Sequence, residues 1–205
     1  MSAPTRTVPA SPEVRPLAAT DAEQVIAHLT ALADQDRVLR FGYQVSDEGL
    51  RSYVRQIDFD HDVVFGIAGE AGDLVGVAHL AYPTQDDGSA EFGVSVTPQA
   101  RGRGLGALLF EHAVAHARHK HVGKLLIHIA RDNAAMLAIV RRAGASVSFE
   151  GSDALATVPL PQPASAADRS SANATVEADN TRRSPRSRGH GRLRGGSKMA
   201  TGSSA

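Results

Sequence analysis

A glycine-rich turn between an extended segment and an amphipathic helix constrains this chain more than any other feature. The extended segment ends at Val96, the turn contains Gly102, Gly104 and Gly106, and apolar residues at helical spacing follow. Three glycines in five positions remove side chains where the backbone bends sharply, and they leave successive N–H groups pointing into one concavity. Because such a concavity at a helix N-terminus binds phosphate groups, the sequence predicts an anion site here.

Two arginines, Arg101 and Arg103, stand between these glycines in an otherwise acidic domain. Residues 1–160 carry 14 basic and 19 acidic side chains, a net charge of −5. Positive charge concentrated at one turn makes a multiply charged anion such as a pyrophosphate the expected ligand.

Two alternatives compete with the anion site. The first is a turn that only connects strand to helix, which leaves the arginines unexplained. The second is a dinucleotide-binding loop built on Gly102, Gly104 and Ala107. It is disfavoured because residues 97–101 separate the strand from the glycines, whereas a Rossmann loop follows its strand almost at once. A Walker loop is excluded, since no Gly-Lys-Ser/Thr ends the run.

The order of hydrophobic periods predicts an α/β (α+β) fold with one mixed, mostly antiparallel sheet of about six to seven strands and flanking helices. Runs at 63–68, 74–82 and 89–96 are separated by Gly/Asp turns and predict an antiparallel meander. A helix over 104–120 and an apolar strand over 124–130 then predict a parallel crossover. The remaining expectations are strands at 14–17, 146–150 and 154–160, helices starting at Thr20 or Asp21, at Ser46 and at Asn133, and a loop over 34–44.

The run Pro159-Leu160-Pro161 separates the expected domain from a basic segment. We expect a disordered leader at 1–12, a folded domain at 13–160 and a disordered tail at 161–205, because the tail is rich in Ala, Ser, Gly and Arg and has no aromatic residue. The tail holds eight basic and three acidic side chains. A nucleic-acid partner is therefore expected only through this tail, and a plain solvated tail is the alternative.

The composition excludes several classes of protein. The chain has no cysteine, which removes disulfides, thiol nucleophiles and cysteine-ligated zinc. No apolar run approaches the roughly 18 residues that span a bilayer, and the N-terminal residues lack the apolar core of a signal peptide. We therefore expect a cytoplasmic protein without a membrane partner; no pattern specifies an oligomeric state.

The residues around the turn resemble those of the GNAT (Gcn5-related) N-acetyltransferases. The run Arg101-Gly-Arg-Gly104-Leu-Gly106 is similar to the Arg/Gln-x-x-Gly-x-Gly/Ala signature of that family, and Val96-Thr-Pro98 precedes it. The run Arg131-Asp-Asn133-Ala-Ala-Met136 follows at the family's usual distance. Within the family, residues 90–96 and Asn133-x-x-Met136 look most like the acetyltransferase domains of bacterial Pat-type protein lysine acetyltransferases. The resemblance implies a GNAT fold over 13–160.

This resemblance implies that acetyl-CoA is the co-substrate and lies between the strand ending at Val96 and the strand at 124–130. Backbone groups of Val94 and Val96 would pair with the pantetheine arm, the Val94 N–H would polarise the thioester carbonyl, and turn amides would hold the pyrophosphate. Asn133 would contact the cofactor through its side chain; a helix cap is the alternative. The implied cofactor-binding residues are Val94, Val96, Arg101, Gly102, Arg103, Gly104, Leu105, Gly106, Ala107 and Asn133.

The implied activity is transfer of the acetyl group to a primary amine, protein lysine first and a small amine second, by direct attack in a ternary complex. A lysine-like amine with a pKa of about 10.4 is protonated at neutral pH, so a base must take a proton. Glu91, which strand alternation places on one face with Gly93 and Ser95, is the predicted base by analogy with Pat-like members; a solvated carboxylate is the alternative.

Two further observations bear on the activity. The family's tyrosine that protonates the leaving thiolate has no counterpart, because Val140 stands at that position. The thiolate can leave without an acid, since its ordinary pKa lies near the ≈ 8.5 of cysteine. A non-catalytic acetyl-CoA-sensing or nucleic-acid-associated protein of the same fold is the alternative function.

The histidines predict no metal site. His112, His116 and His119 share one flank of the predicted helix, but no acidic partner accompanies them, so a solvated face is expected. His79 and His128 lie within strand runs and are interpreted as bordering the cleft or as core or edge residues.

Overall fold

The computed structural model describes residues 12–83 and 88–161. The predicted leader and tail, apart from Pro12 and Pro161, lie outside these ranges. Over the described residues, no helix is both long enough and apolar enough to cross a membrane.

One mixed sheet forms the centre of the described domain. Its strands are β1 (Val14–Leu17), β2 (Val63–Ala68), β3 (Leu74–Ala81), β4 (Ser89–Val96), β5 (Lys124–Ala130), β6 (Ser146–Glu150) and β7 (Asp153–Pro159). Their order across the sheet is β1-β2-β3-β4-β5-β7-β6. Only β4 and β5 pair in parallel among these strands; the other neighbours are antiparallel. The predicted meander, parallel crossover and closing hairpin are confirmed.

Helices cover both faces of this sheet. They are α1 (Ala22–Thr30), α2 (Asp34–Phe41), α3 (Asp47–Arg55), α4 (Leu105–His119) and α5 (Ala134–Arg142). The predicted cap of α3 is confirmed, because Gly49 N donates to Ser46 Oγ at 3.2 Å.

The prediction of a loop over 34–44 is wrong, because α2 occupies most of it. No residue of α2 is buried, and Phe41 packs against the core only partly buried, so this eight-residue segment offers too short an apolar pattern to mark a core-facing helix. Its ends do carry a helical signal. Asp34 and Asp36 lie in the first turn and Arg40 in the last, which matches the helix dipole, and Gly42 follows the last residue.

Strand β4 divides two apolar cores. Phe92 packs toward α4, where its ring lies 5.5 Å from that of Phe110 in an edge-to-face arrangement. Ser95 faces α1, and its hydroxyl lies 2.9 Å from Nε2 of the buried His28. His28 also contacts β3 through Nδ1, 2.9 Å from the carbonyl of Leu74. The predicted alternation of β4 side chains between two faces is therefore confirmed.

Candidate active site

Strands β4 and β5 pair only at their beginnings. The parallel register runs from Ser89 with Lys124 to Glu91 with Leu126. Beyond this point β4 continues to Val96 and β5 to Ala130. Because β7 continues beside β5 to the pair Ala130 with Asp153, β5 is held away from β4, and a gap opens inside the sheet.

The backbone of β4 presents hydrogen-bonding groups to this gap. Thr97 N donates to Val75 O at 2.9 Å, in the same register that pairs β3 with β4. In an antiparallel ladder the bonded positions alternate, so the N–H and C=O groups of Phe92, Val94 and Val96 point away from β3. They face the gap; the pairing of the Val94 and Val96 backbone with a pantetheine arm, which the resemblance implies, stays a prediction. The Val96 carbonyl accepts a bond from Arg101 Nε at 3.2 Å.

The glycine turn closes one end of the gap. Gly102 and Gly104 have φ of +74° and +77°, and a Cβ at either position would meet nothing within 4 Å. Backbone conformation rather than crowding therefore favours glycine here. Leu108 N donates to Gly104 O at 3.0 Å, so the amides of residues 105–107 precede the helical ladder of α4. These N–H groups lie at the positive end of the helix dipole.

A cavity of about 430 Å³ fills the gap between β4, the turn, α5 and α2. We call it the groove. Its lining includes these predicted cofactor residues: Val94, Val96, Arg101, Gly102, Gly104, Leu105, Gly106, Ala107 and Asn133. His128, which was interpreted as bordering the cleft, also lines it. Glu91 and Arg103 lie outside the lining and are exposed.

Asn133 forms the helix cap that was the alternative interpretation of this residue, and its contact with the cofactor stays a prediction. Its Oδ1 accepts a hydrogen bond from Met136 N at 3.1 Å, which caps α5. The same side chain lines the groove. The Nδ2 group is the part of this side chain that a bound ligand could use as a donor.

Helix α2 supplies a wall that the sequence did not predict. Asp36 and Arg40 both line the groove. Arg101 Nη2 lies 2.7 Å from Asp36 Oδ1, and the Asp36 side chain is only 11% exposed. The Arg101 guanidinium, expected to face a phosphate, therefore joins the turn to α2 in this structure.

A polar cluster lies on the Gly93 face of β4, behind Arg40. A Cβ built at Gly93 would overlap the Arg40 guanidinium, and Arg40 in turn donates to Tyr53 Oη at 3.0 Å. Burial lowers the pKa of His79 below its ordinary 6.5; Asp62 and Glu91 oppose this shift and Arg40 reinforces it. Nearby, burial raises the pKa of Tyr82 to about 12, with the Asp62 charge contributing.

The histidines of α4 are arranged differently from the expected solvated face. His116 is partly buried and its ring lies 5.8 Å from that of Phe65, and burial lowers its pKa. His112 and His119 are exposed. In the ranges that the structure covers, no group of three or more His, Cys, Asp or Glu side chains could hold a metal ion.

Comparison with known proteins agrees with this geometry. The family model described as an acetyltransferase (GNAT) domain matches residues 13–146. The chain belongs to the GNAT acetyltransferase family. A curated relative is streptothricin acetyltransferase from Streptomyces lavendulae, 32% identical over 80 residues. That match covers 39% of this chain and 42% of the relative, so the chain spans about two fifths of the relative's length.

Solved GNAT structures share the fold. The GNAT domain of S. lividans PAT superposes with a TM-score of 0.61 and 22% identity over 73% of this chain and 90% of that one. The structure of yncA from Salmonella typhimurium, solved with its cofactor acetyl-CoA, gives 0.55 and 18% identity over 76% and 98%. At such identities the likeness to these structures establishes the fold alone.

Proposed function

We propose that this chain transfers the acetyl group of acetyl-CoA to the nitrogen of a primary amine, by direct attack in a ternary complex. The observation that carries the proposal is the separation of β4 from β5 after Glu91, which directs the backbone groups of Phe92, Val94 and Val96 into a groove that ends at the glycine turn. Membership of the GNAT family supports acetyl-CoA as the acyl donor.

The chemistry of the lining fits acetyl-CoA. A pantetheine arm alternates amides with short alkyl segments, and the walls offer strand amides on β4 together with the apolar side chains of Ile127, Met136 and Ile139. The diphosphate would lie against the amides of residues 105–107 and the concavity at Gly102 and Gly104. Asn133 would contact the cofactor through Nδ2.

Acetyl-CoA supplies an activated thioester when it is bound. The Val94 N–H, directed into the groove, would donate a hydrogen bond to the carbonyl oxygen and stabilise the negative charge that develops there as the amine adds. The neutral amine nitrogen forms the new N–C bond while the C–S bond breaks, and one proton leaves the nitrogen and balances the departing thiolate as a thiol. An acceptor that arrives as an ammonium first gives one further proton to the base. Glu91, at the last β4–β5 pair, stays the base predicted from the sequence.

A primary amine is the proposed acceptor class, as protein lysine or as a small molecule. The relative whose printed name is streptothricin acetyltransferase supports including antibiotic amines. Helix α2 and strand β5 contribute the charged or ionisable groups Asp36, Arg40 and His128 to the lining, so the acceptor would meet both signs of charge.

Thiol release tests this proposal directly. The full chain and acetyl-CoA are incubated with lysine-rich proteins, polyamines, aminoglycosides and streptothricin, and free thiol is measured beside mass spectrometry of the acceptor. We expect one thiol for each acetyl group gained by an amine. If calorimetry detects acetyl-CoA binding while no amine in the panel gains an acetyl group, the alternative function, a non-catalytic acetyl-CoA-binding protein, is supported and the proposed transfer is refuted.

A further inference from the structure

Arg40 presents an unpaired positive charge on the wall of the groove. Its side chain lines the groove and is partly buried. A guanidinium has five N–H donors, and one of them is used, since Nη2 donates to Tyr53 Oη at 3.0 Å. Within residues 12–83 and 88–161, no Asp or Glu oxygen lies within ion-pair distance of Arg40. Most of its hydrogen-bonding capacity is therefore left for a ligand.

Three contacts hold the Arg40 guanidinium in one place. It lies 4.7 Å from the centre of the Phe41 ring, an attractive arrangement for a cation. The Tyr53 oxygen that accepts from it lies 2.7 Å from His79 Nδ1, so this hydroxyl is itself fixed by a second bond. On the β4 side, a Cβ built at Gly93 would overlap Cζ and both Nη atoms of Arg40. Glycine at this position therefore lets the charged group, rather than its alkyl chain, lie against the strand.

Two side chains of α2 lie at two different levels of the groove. Asp36 Oδ1 lies 2.7 Å from Arg101 Nη2 and is therefore beside the glycine turn. Arg40 comes one helical turn later, about 6 Å along the axis, and lies against Gly93, which precedes Val94. The turn is the proposed diphosphate site, and the Val94 N–H is the proposed contact of the thioester. Arg40 is therefore at the end of the groove where the acetyl group would be transferred.

The charges on the groove wall favour a negative group in the acceptor. Among the described residues that form this lining, the arginines are Arg40, Arg101 and Arg142, and the one carboxylate is Asp36. Asp36 is already paired with Arg101. An acceptor with several positive charges would be repelled by this surplus, whereas a carboxylate beside Arg40 would gain a bidentate, charge-assisted pair. The lining is thus matched to an amine that also carries a negative charge.

We propose that Arg40 binds a carboxylate of the acceptor, and that the acceptor is a small amine with this carboxylate a few bonds from its nitrogen, as in an amino acid. This inference rests on the proposed function and narrows its acceptor class. The spacing follows from the strand, because neighbouring Cα atoms such as those of Gly93 and Val94 are about 3.8 Å apart. A carboxylate at Arg40 and an amine at the thioester therefore belong to one short molecule.

A bidentate pair at Arg40 would orient the acceptor as well as hold it. The guanidinium and the carboxylate form two parallel hydrogen bonds, which fix the direction from the carboxylate to the carbon that bears the amine. Since Phe41 and Tyr53 hold Arg40 itself, the fold sets this direction. Orientation of the reacting groups lowers the barrier to addition, so we expect kcat as well as KM for the acceptor to depend on Arg40.

The test compares free amino acids with their own primary amides, which keep the amine and the side chain but lack the carboxylate. The full chain and acetyl-CoA are incubated with each compound, and thiol release is measured. Loss of the carboxylate lowers the pKa of the neighbouring ammonium, so more of the amide is in the reactive neutral form and the comparison is biased against the proposal. We expect kcat/KM for the preferred amino acid to exceed that for its amide by about 10- to 150-fold, the range for a hydrogen bond to a charged group.

Two variants assign this preference to Arg40. Arg40→Gln removes the charge and should abolish the preference for the amino acid over its amide, whereas Arg40→Lys keeps the charge without the planar fork and should retain part of it. The readout is the ratio of the two kcat/KM values, because a general fault in folding lowers both and leaves their ratio. The control Arg55→Gln removes a guanidinium that is 63% exposed and outside the groove lining, and it leaves the ratio at the wild-type value.

The outcomes separate this inference from the function on which it rests. A wild type that acetylates amino acids no better than their amides, or that acetylates only amines without a carboxylate, overturns the acceptor class while the enzyme stands. A preference for the amino acid that survives in Arg40→Gln overturns the role of Arg40. A wild type that acetylates no amine, free amino acids included, overturns the proposed function and this inference with it.

Discussion

Replacing Gly104 by alanine isolates the backbone of the turn from every side-chain effect. Gly104 has φ of +77°, and a Cβ there meets no atom within 4 Å, so the only cost is conformational. That cost is about 1–2 kcal/mol for a residue other than glycine in the left-handed region. If the free variant relaxes and must regain this backbone to bind, Kd for acetyl-CoA rises about 5- to 30-fold, since 1.4 kcal/mol is tenfold.

Calorimetric titration of acetyl-CoA measures this change, beside urea unfolding of the same variant. Gly72→Ala is the matched control, because Gly72 has φ of +80°, is equally open around its Cβ and lies in the turn between β2 and β3. It should lower the free energy of unfolding by a similar amount and leave Kd unchanged. Acetyl-pantetheine, which lacks the diphosphate, should bind Gly104→Ala as it binds the wild type.

The result that refutes this reasoning is equally specific. If Gly104→Ala unfolds in urea with the wild-type free energy, which shows that the turn has relaxed, and still binds acetyl-CoA with the wild-type Kd, the amides of this turn are not the diphosphate ligands. If Gly72→Ala weakens binding as much as Gly104→Ala, the loss reflects general destabilisation rather than the turn.

Two further predictions concern stability. Both ring nitrogens of buried His28 are hydrogen-bonded, to Leu74 O and Ser95 Oγ. His28→Ala should therefore lower the free energy of unfolding in urea by about 1–3 kcal/mol, whereas His119→Ala, at an exposed site, should change it little. Equal effects of the two substitutions would contradict this account. Burial lowers the pKa of His116 below 6.5, so below that pH the unfolded chain binds more protons and stability falls as the pH falls. His116→Gln should reduce this loss in thermal unfolding between about pH 7 and pH 5, and an unchanged slope would exclude a contribution from His116.

The sequence determined the central part of the fold because its signals are local. The glycines before α4, the apolar arc of that helix and the continuous apolar run of β5 each specify an element within a few residues. Alternation along β4 by itself places Phe92 and Ser95 on opposite faces, where they contact Phe110 and His28.

Only the tertiary structure decided what surrounds that centre. Helix α2 has only eight residues and none is buried, so its pattern was too short to set it apart from a loop, yet it brings Asp36 and Arg40 to the groove. Tyr53, Asp62 and His79 come from three elements separated in sequence, and sheet register with helix packing brings them within hydrogen-bonding distance. Contacts between distant segments depend on the assembled core, which no local pattern encodes.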